Sequence, residues 1–181
     1  MKNRISISLL YGAFASMIAI AIDMVLKFTK AHLFAASRYG LYFLTITLLG
    51  ICIYFAIKKY RKANFDGKVF LLQHGASIGV LTSLFYAVCF SLYLFILSQT
   101  VMPDMFEKYK EQQIALIENS TVNETEKNTQ IISIRNMSNE GILLEDFIHR
   151  LIFPLTLSLF IAIFMQQKKT IEPIEKQQNI E

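Results

Sequence analysis

Four stretches of apolar residues run through the chain, separated by short polar connections and one long polar segment. The first is Ile5 to Phe28 and the second Tyr39 to Ile57. The third begins near Val69, passes Gln73 and His74, and continues uncharged from Gly75 to Leu97. The last is Phe147 to Met165. A helix rises about 1.5 Å per residue, so about 20 apolar residues cross roughly 30 Å of hydrocarbon. The pattern predicts four membrane spans, over about 5–28, 39–57, 72–97 and 147–165. The expected fold class is all-α: an integral membrane four-helix bundle with an extracytoplasmic helical segment between the third and fourth spans. The whole chain, 1–181, reads as a single membrane domain.

The third stretch organises the rest. Small residues recur at every fourth position: Gly75, Gly79, Ser83, Ala87 and Ser91. Residues four apart lie nearly above one another on a helix. In lipid, apolar surface gains little by leaving one hydrocarbon for another, so helices associate through close packing, which small side chains permit. These five residues are therefore expected to form a helix-packing seam. Gly40, Gly50 and Ala56 offer further close-packing positions in the second span.

Between Ser98 and Asp146 the pattern changes. Nine acids stand against four bases there, among them Asp104, Glu107, Glu111 and Glu118. Pro103 and Asp104 suit a first helical turn, and apolar positions then recur at helical spacing. This predicts an amphipathic helix over roughly 103–118, a polar loop over 119–128 and a second, weaker helix over 130–137. Three Asn-x-Ser/Thr triplets begin at Asn119, Asn123 and Asn136; in an Asn- and Thr-rich stretch they say little.

Charge adds an orientation. The second span ends in Lys58, Lys59, Arg61 and Lys62, a short basic cluster and the best topology marker in the chain. Lysine and arginine in short loops are retained in the cytoplasm. With both termini inside, ten of the 18 bases fall in short cytoplasmic segments and the acidic segment lies outside. The same cluster is a candidate patch for anionic lipid, or for a protein partner. Only 18% of residues are charged and 54% are hydrophobic, away from the roughly 25% charge of soluble domains. Net charge of +4 reflects one-sided basic segments rather than a nucleic-acid surface. Ala19-Ile20-Ala21 resembles a signal cleavage site, but the apolar run continues past it and exceeds a signal core of about 7–15 residues. The first stretch is thus expected to remain as a span.

Two ionisable residues fall within or at the edge of spans, Asp23 and Arg150, and such groups are candidate functional positions. Asp23 precedes Lys27 by four residues, which suits an interfacial ion pair. Arg150 is expected to snorkel to the interface, with Asp23 or the nearby loop acids as the alternative partner. His74 has no second ligand at metal spacing and reads as an interfacial histidine. Cys52 and Cys89, both inside apolar runs, are expected to be reduced and buried.

The chain contains no Walker loop, GxGxxG, HExxH, GxSxG or CxxC motif, and no two carboxylates share one face within a span. No catalytic, cofactor or metal constellation is read from it. At the start of the third helix stand Phe70-x-x-Gln73, then Gly75 and Gly79, and Met102-Pro103-Asp104 opens the outer helix. In these features the chain resembles the small four-helix membrane proteins of Bacteroidetes grouped as domain of unknown function 4199. The resemblance implies an inner-membrane protein without assigned activity or functional residues. The expectation is a non-enzymatic scaffold or accessory subunit, acting through helix–helix and extracytoplasmic contacts with a membrane-protein partner or a second copy. The alternative is a small transporter or lipid-binding protein assisting a lipid-linked sugar pathway, with a polar cavity near Asp23, Thr45 and Thr47.

Overall fold

The computed structural model describes residues 3–28, 35–65 and 69–166, and their side chains apart from those of 27–28 and 35–42. Six helices account for nearly all of these residues, and no strand occurs among them. In order they are α1 (Arg4–Phe28), α2 (Ala35–Asn64), α3 (Leu72–Thr100), α4 (Met105–Glu118), α5 (Glu124–Arg135) and α6 (Asn139–Met165). Four of them, α1, α2, α3 and α6, are long and apolar enough to cross a membrane. At 25 to 30 residues they measure roughly 38–45 Å, longer than the hydrocarbon layer alone.

Each buried face is a stripe at helical spacing. On α1 it is Ser8, Gly12, Ala15, Ser16 and Ala19; on α2 it is Leu49, Ile53, Ala56, Ile57 and Tyr60. The opposite faces carry Leu9, Phe14, Met17, Ile51, Phe55, Leu92, Phe153 and Phe160, all exposed. α1 thus buries mainly small residues and hydroxyls, the close packing that lipid as solvent selects, while bulky hydrocarbon faces outward.

α3 is the hub. It packs on α1, on α2 and most extensively on α6, while α1 and α6 flank the α2–α3 pair. The Ser8 hydroxyl donates to the Ile78 carbonyl at 3.3 Å, and a side chain on Gly12 would meet the Thr82 carbonyl oxygen at 2.7 Å. Further along, Asp23 meets Tyr93, so α1 and α3 run parallel. α6 runs the other way: Gly75 faces Ala162, Gly79 faces Ser158, and Tyr86 meets Arg150. α2 and α6 are parallel, with Gly50 against Leu157 and Arg61 donating to the Met165 carbonyl at 3.2 Å. The long helices thus alternate in direction. The α2–α3 connection lies at one end of the bundle and the α4–α5 hairpin at the other.

Apart from Ser8, which reaches across to α3, these buried hydroxyls are satisfied within their own helix. Thr82 donates to Ile78 and Ser83 to Gly79, each one turn back, while Ser16, Ser98 and Ser158 donate to carbonyls three residues back. An unpaired polar group in hydrocarbon costs several kcal/mol, so these bonds let serine and threonine serve as small packing residues.

Several boundaries differ from the sequence expectation. α2 extends to Asn64, because lysine and arginine are good helix formers and the helix does not stop where the apolar run does. α6 begins at Asn139, not near Phe147: the Ser138 hydroxyl accepts from the Gly141 amide at 3.1 Å and caps it. The stretch 139–146, expected outside the helix, is thus its first two turns. α5 covers Glu124–Arg135 rather than 130–137, because Asn123 accepts from the Glu126 amide at 2.8 Å and starts the helix earlier. The polar loop over 119–128 is correspondingly short. α4, at Met105–Glu118, starts two residues after Pro103. Gly40 and Lys27 carry expectations that lie outside the described side chains.

Candidate functional site

The two ionisable side chains singled out within the spans, Asp23 and Arg150, lie toward the hairpin end of the bundle, around three aromatic residues of α3. Tyr86, Phe90 and Tyr93 follow one another at intervals of four and three and so share a face. Arg150 of α6 reaches this face. Its Nε donates to Asp146 Oδ2 at 2.7 Å, its Nη1 donates to the Tyr86 hydroxyl at 3.4 Å, and its guanidinium carbon stands 3.7 Å from the centre of the Phe90 ring. The arginine side chain is only 16% exposed and the aspartate 32%. A buried guanidinium is costly unless paired; here the carboxylate lies one turn N-terminal on the same helix, in the favourable acid-then-base order, and the ring face supplies a further attraction.

A second pair sits beside it. The Tyr93 hydroxyl donates to Asp23 Oδ2 at 2.7 Å, joining α3 to α1. Phe90 and Tyr93 meet edge to face, 5.5 Å between ring centres, and Tyr86 and Phe90 lie 6.1 Å apart. The stripe therefore connects Asp23 on α1 with Arg150 and Asp146 on α6. Chemically this is a clamp: two charge-bearing pairs and a cation–π stack hold three helices at one height. Tyr93→Phe removes the hydroxyl and is expected to lower stability by about 1 kcal/mol, read from reversible unfolding in mixed micelles. A midpoint equal to that of the wild type would strike this hydrogen bond from the clamp.

Arg150 thus takes Asp146 as its partner, one of the acids near its face, while Asp23 goes to Tyr93. The Asp23–Lys27 pair falls on a side chain outside the described ones. Thr45 is buried, but Thr47 is exposed and donates to the Phe43 carbonyl of its own helix at 2.8 Å, so it lines no cavity with Asp23. Within the seam, Gly75, Gly79, Ser83 and Ala87 are buried. Ser91 is half-buried, and its hydroxyl oxygen has no hydrogen-bond partner. Tyr86, Phe90 and Tyr93 escaped the sequence reading; their four-and-three spacing along one face of α3, a helix that also carries the nearby Phe85 and Phe95, was the available signal.

The other end of the bundle is aromatic and basic. Tyr60, Phe65, Phe70 and His74 pack ring against ring, with Phe65 and His74 4.4 Å apart. His74 Nδ1 accepts from the Leu71 amide at 3.3 Å, so its place is structural, at the start of α3. Cys52 is buried and Cys89 half-buried, both as free thiols. No three metal-ligating side chains converge among the described residues.

Outside the bundle, α4 and α5 pack mainly on each other. Glu107, Glu111, Ile114 and Glu118 recur on one face of α4 and, with Lys110 and Arg135, line a cleft of about 350 Å³. Lys110 pairs with Glu107 at 3.1 Å, and Lys127 donates to the Glu118 carbonyl at 3.1 Å, stapling the hairpin.

Residues 7–167 match the model of a family described as protein of unknown function (DUF4199). No curated protein and no solved structure matches the chain.

Proposed function

This chain belongs to the DUF4199 family of proteins of unknown function, and from that membership and the geometry above we propose that it is a non-enzymatic accessory or scaffold subunit of the bacterial inner membrane. Its termini and the Lys58 end face the cytoplasm in this reading, and the α4–α5 hairpin faces outward. The cluster of bases at one end and of acids at the other supports that orientation.

The observation that carries the reading is the hairpin. The closest-packing surfaces of the spans are already used within the chain: α6 covers Gly75 and Gly79, and α3 covers Gly12. The hairpin, by contrast, leans little on the bundle and holds an open cleft in which the acids Glu107, Glu111 and Glu118 outnumber the bases Lys110 and Arg135, while Leu116 and Ile132 stay exposed, at 57% and 58%. A recognition element standing clear of its own bundle suits contact with a companion protein. The acids of the cleft select a basic segment of that companion.

Gentle solubilisation followed by mass photometry tests this. The wild type should run as a stoichiometric complex with a companion or with a second copy. Reversing Glu111 and Glu118 to Lys should release it without shifting the helical circular dichroism signal. A wild-type protein that runs as a lone monomer, or a complex indifferent to the reversal, would sink the reading.

A further inference from the structure

The last two turns of α2 carry Lys58, Lys59, Arg61 and Lys62. The ion pairs among the described residues all lie at the hairpin end, and none involves these four cations. Arg61 is engaged structurally, donating to the Met165 carbonyl with its guanidinium 5.9 Å from the Phe70 ring centre. The three lysines are exposed. Lys58 Nζ stands 5.8 Å from the Tyr54 ring centre, and Lys59 Nζ 5.5 Å from that of Tyr11 on α1. Their stems are thus laid along the bundle, and no carboxylate among the described residues pairs with them.

The surface leading up to them is apolar and open. Ile51, Phe55, Lys58 and Lys62 follow at intervals of four, three and four, so they form one outward stripe. Ile51 is 49% exposed and Phe55 46%. From Ile51 to Lys62 the helix rises about 16 Å, roughly half of a hydrocarbon layer of about 30 Å. The stripe therefore has the length and the polarity change of a single lipid leaflet: hydrocarbon below, cations above.

We propose that this stripe binds a phosphate-bearing anionic phospholipid. An acyl chain lies along Ile51 and Phe55, the headgroup phosphate sits between Lys58 and Lys62, and Lys59 flanks it from the α1 side. Arg61 is a positioning residue: by bonding the end of α6 it fixes the helix end that presents the lysines. A partner protein at the same patch would need acids, whereas a phospholipid meets both halves of the stripe at once.

The test uses full-length protein in phosphatidylcholine nanodiscs, titrated with phosphatidylglycerol, with retained lipid counted by native mass spectrometry. Wild type should retain phosphatidylglycerol in preference to phosphatidylcholine. Lys58→Gln with Lys62→Gln should bind it about thirtyfold more weakly, and Lys62→Gln alone about fivefold. Lys108→Gln on the hairpin should bind as wild type does. Inorganic phosphate at millimolar concentration should leave the lipid in place. Equal retention by wild type and the double variant overturns the proposal, as do equal retention of the two lipids and displacement by inorganic phosphate alone.

Discussion

Gly79→Leu breaks the α3–α6 contact, at an expected cost of about 3 kcal/mol. Even a Cβ at this position overlaps the Ser158 Cβ, and the Ser158 Cα would stand only 3.4 Å away. The obstacle is thus close to backbone, and relief requires α6 to move off α3. Gly50→Ala is the control. Its Cβ would meet only the end of the Leu157 side chain, which can rotate aside, so a loss under about 1 kcal/mol is expected. Reversible unfolding in mixed micelles gives both values. A Gly79→Leu variant as stable as the wild type would mean that the two helices do not meet at this seam.

The second large effect is at Arg150. Arg150→Met leaves the half-buried Asp146 carboxylate without its guanidinium and strips the cation from the Phe90 ring; the expected loss is about 2 kcal/mol, below the value for a fully buried pair because Asp146 keeps some access to water. Adding Asp146→Asn removes the stranded charge and should restore roughly half of that loss. The single variants and the double variant, measured by the same unfolding, form a cycle. If the double variant loses the sum of the two single losses, the pair is uncoupled and the clamp at the hairpin end rests on the rings alone.

The spans were legible because nothing competes with a long uncharged run: Gly75 to Leu97 admits no other reading. Their ends were harder, for two physical reasons. A hydropathy boundary falls at the first charge, whereas a helix ends where its backbone loses donors or acceptors; Lys58 to Lys62 continue α2 although the apolar run has stopped. The caps that set the true starts were present as letters. Asn123 followed three residues later by Glu126, and Ser138 before Asn139 and Glu140, both match helix-start signatures. A boundary drawn from polarity alone passes over both, because charged residues follow each cap. At the site, Asp23 and Arg150 stood out because ionisable groups are rare in spans. Their partners did not, since Tyr93 and Tyr86 become neighbours only once the relative heights of α1, α3 and α6 are fixed. Packing sets those heights, through Gly12 against Thr82 and Gly79 against Ser158, and no periodicity within one helix encodes them.

The glycine face of α3 has a consequence for biosynthesis. Its cover, Ser158 and Ala162, is made more than 50 residues after it, beyond the whole hairpin. During translation the three earlier long helices enter the bilayer while that groove still faces lipid. A nascent chain arrested before Asn139 would leave that backbone-exposing stripe without the helix that covers it.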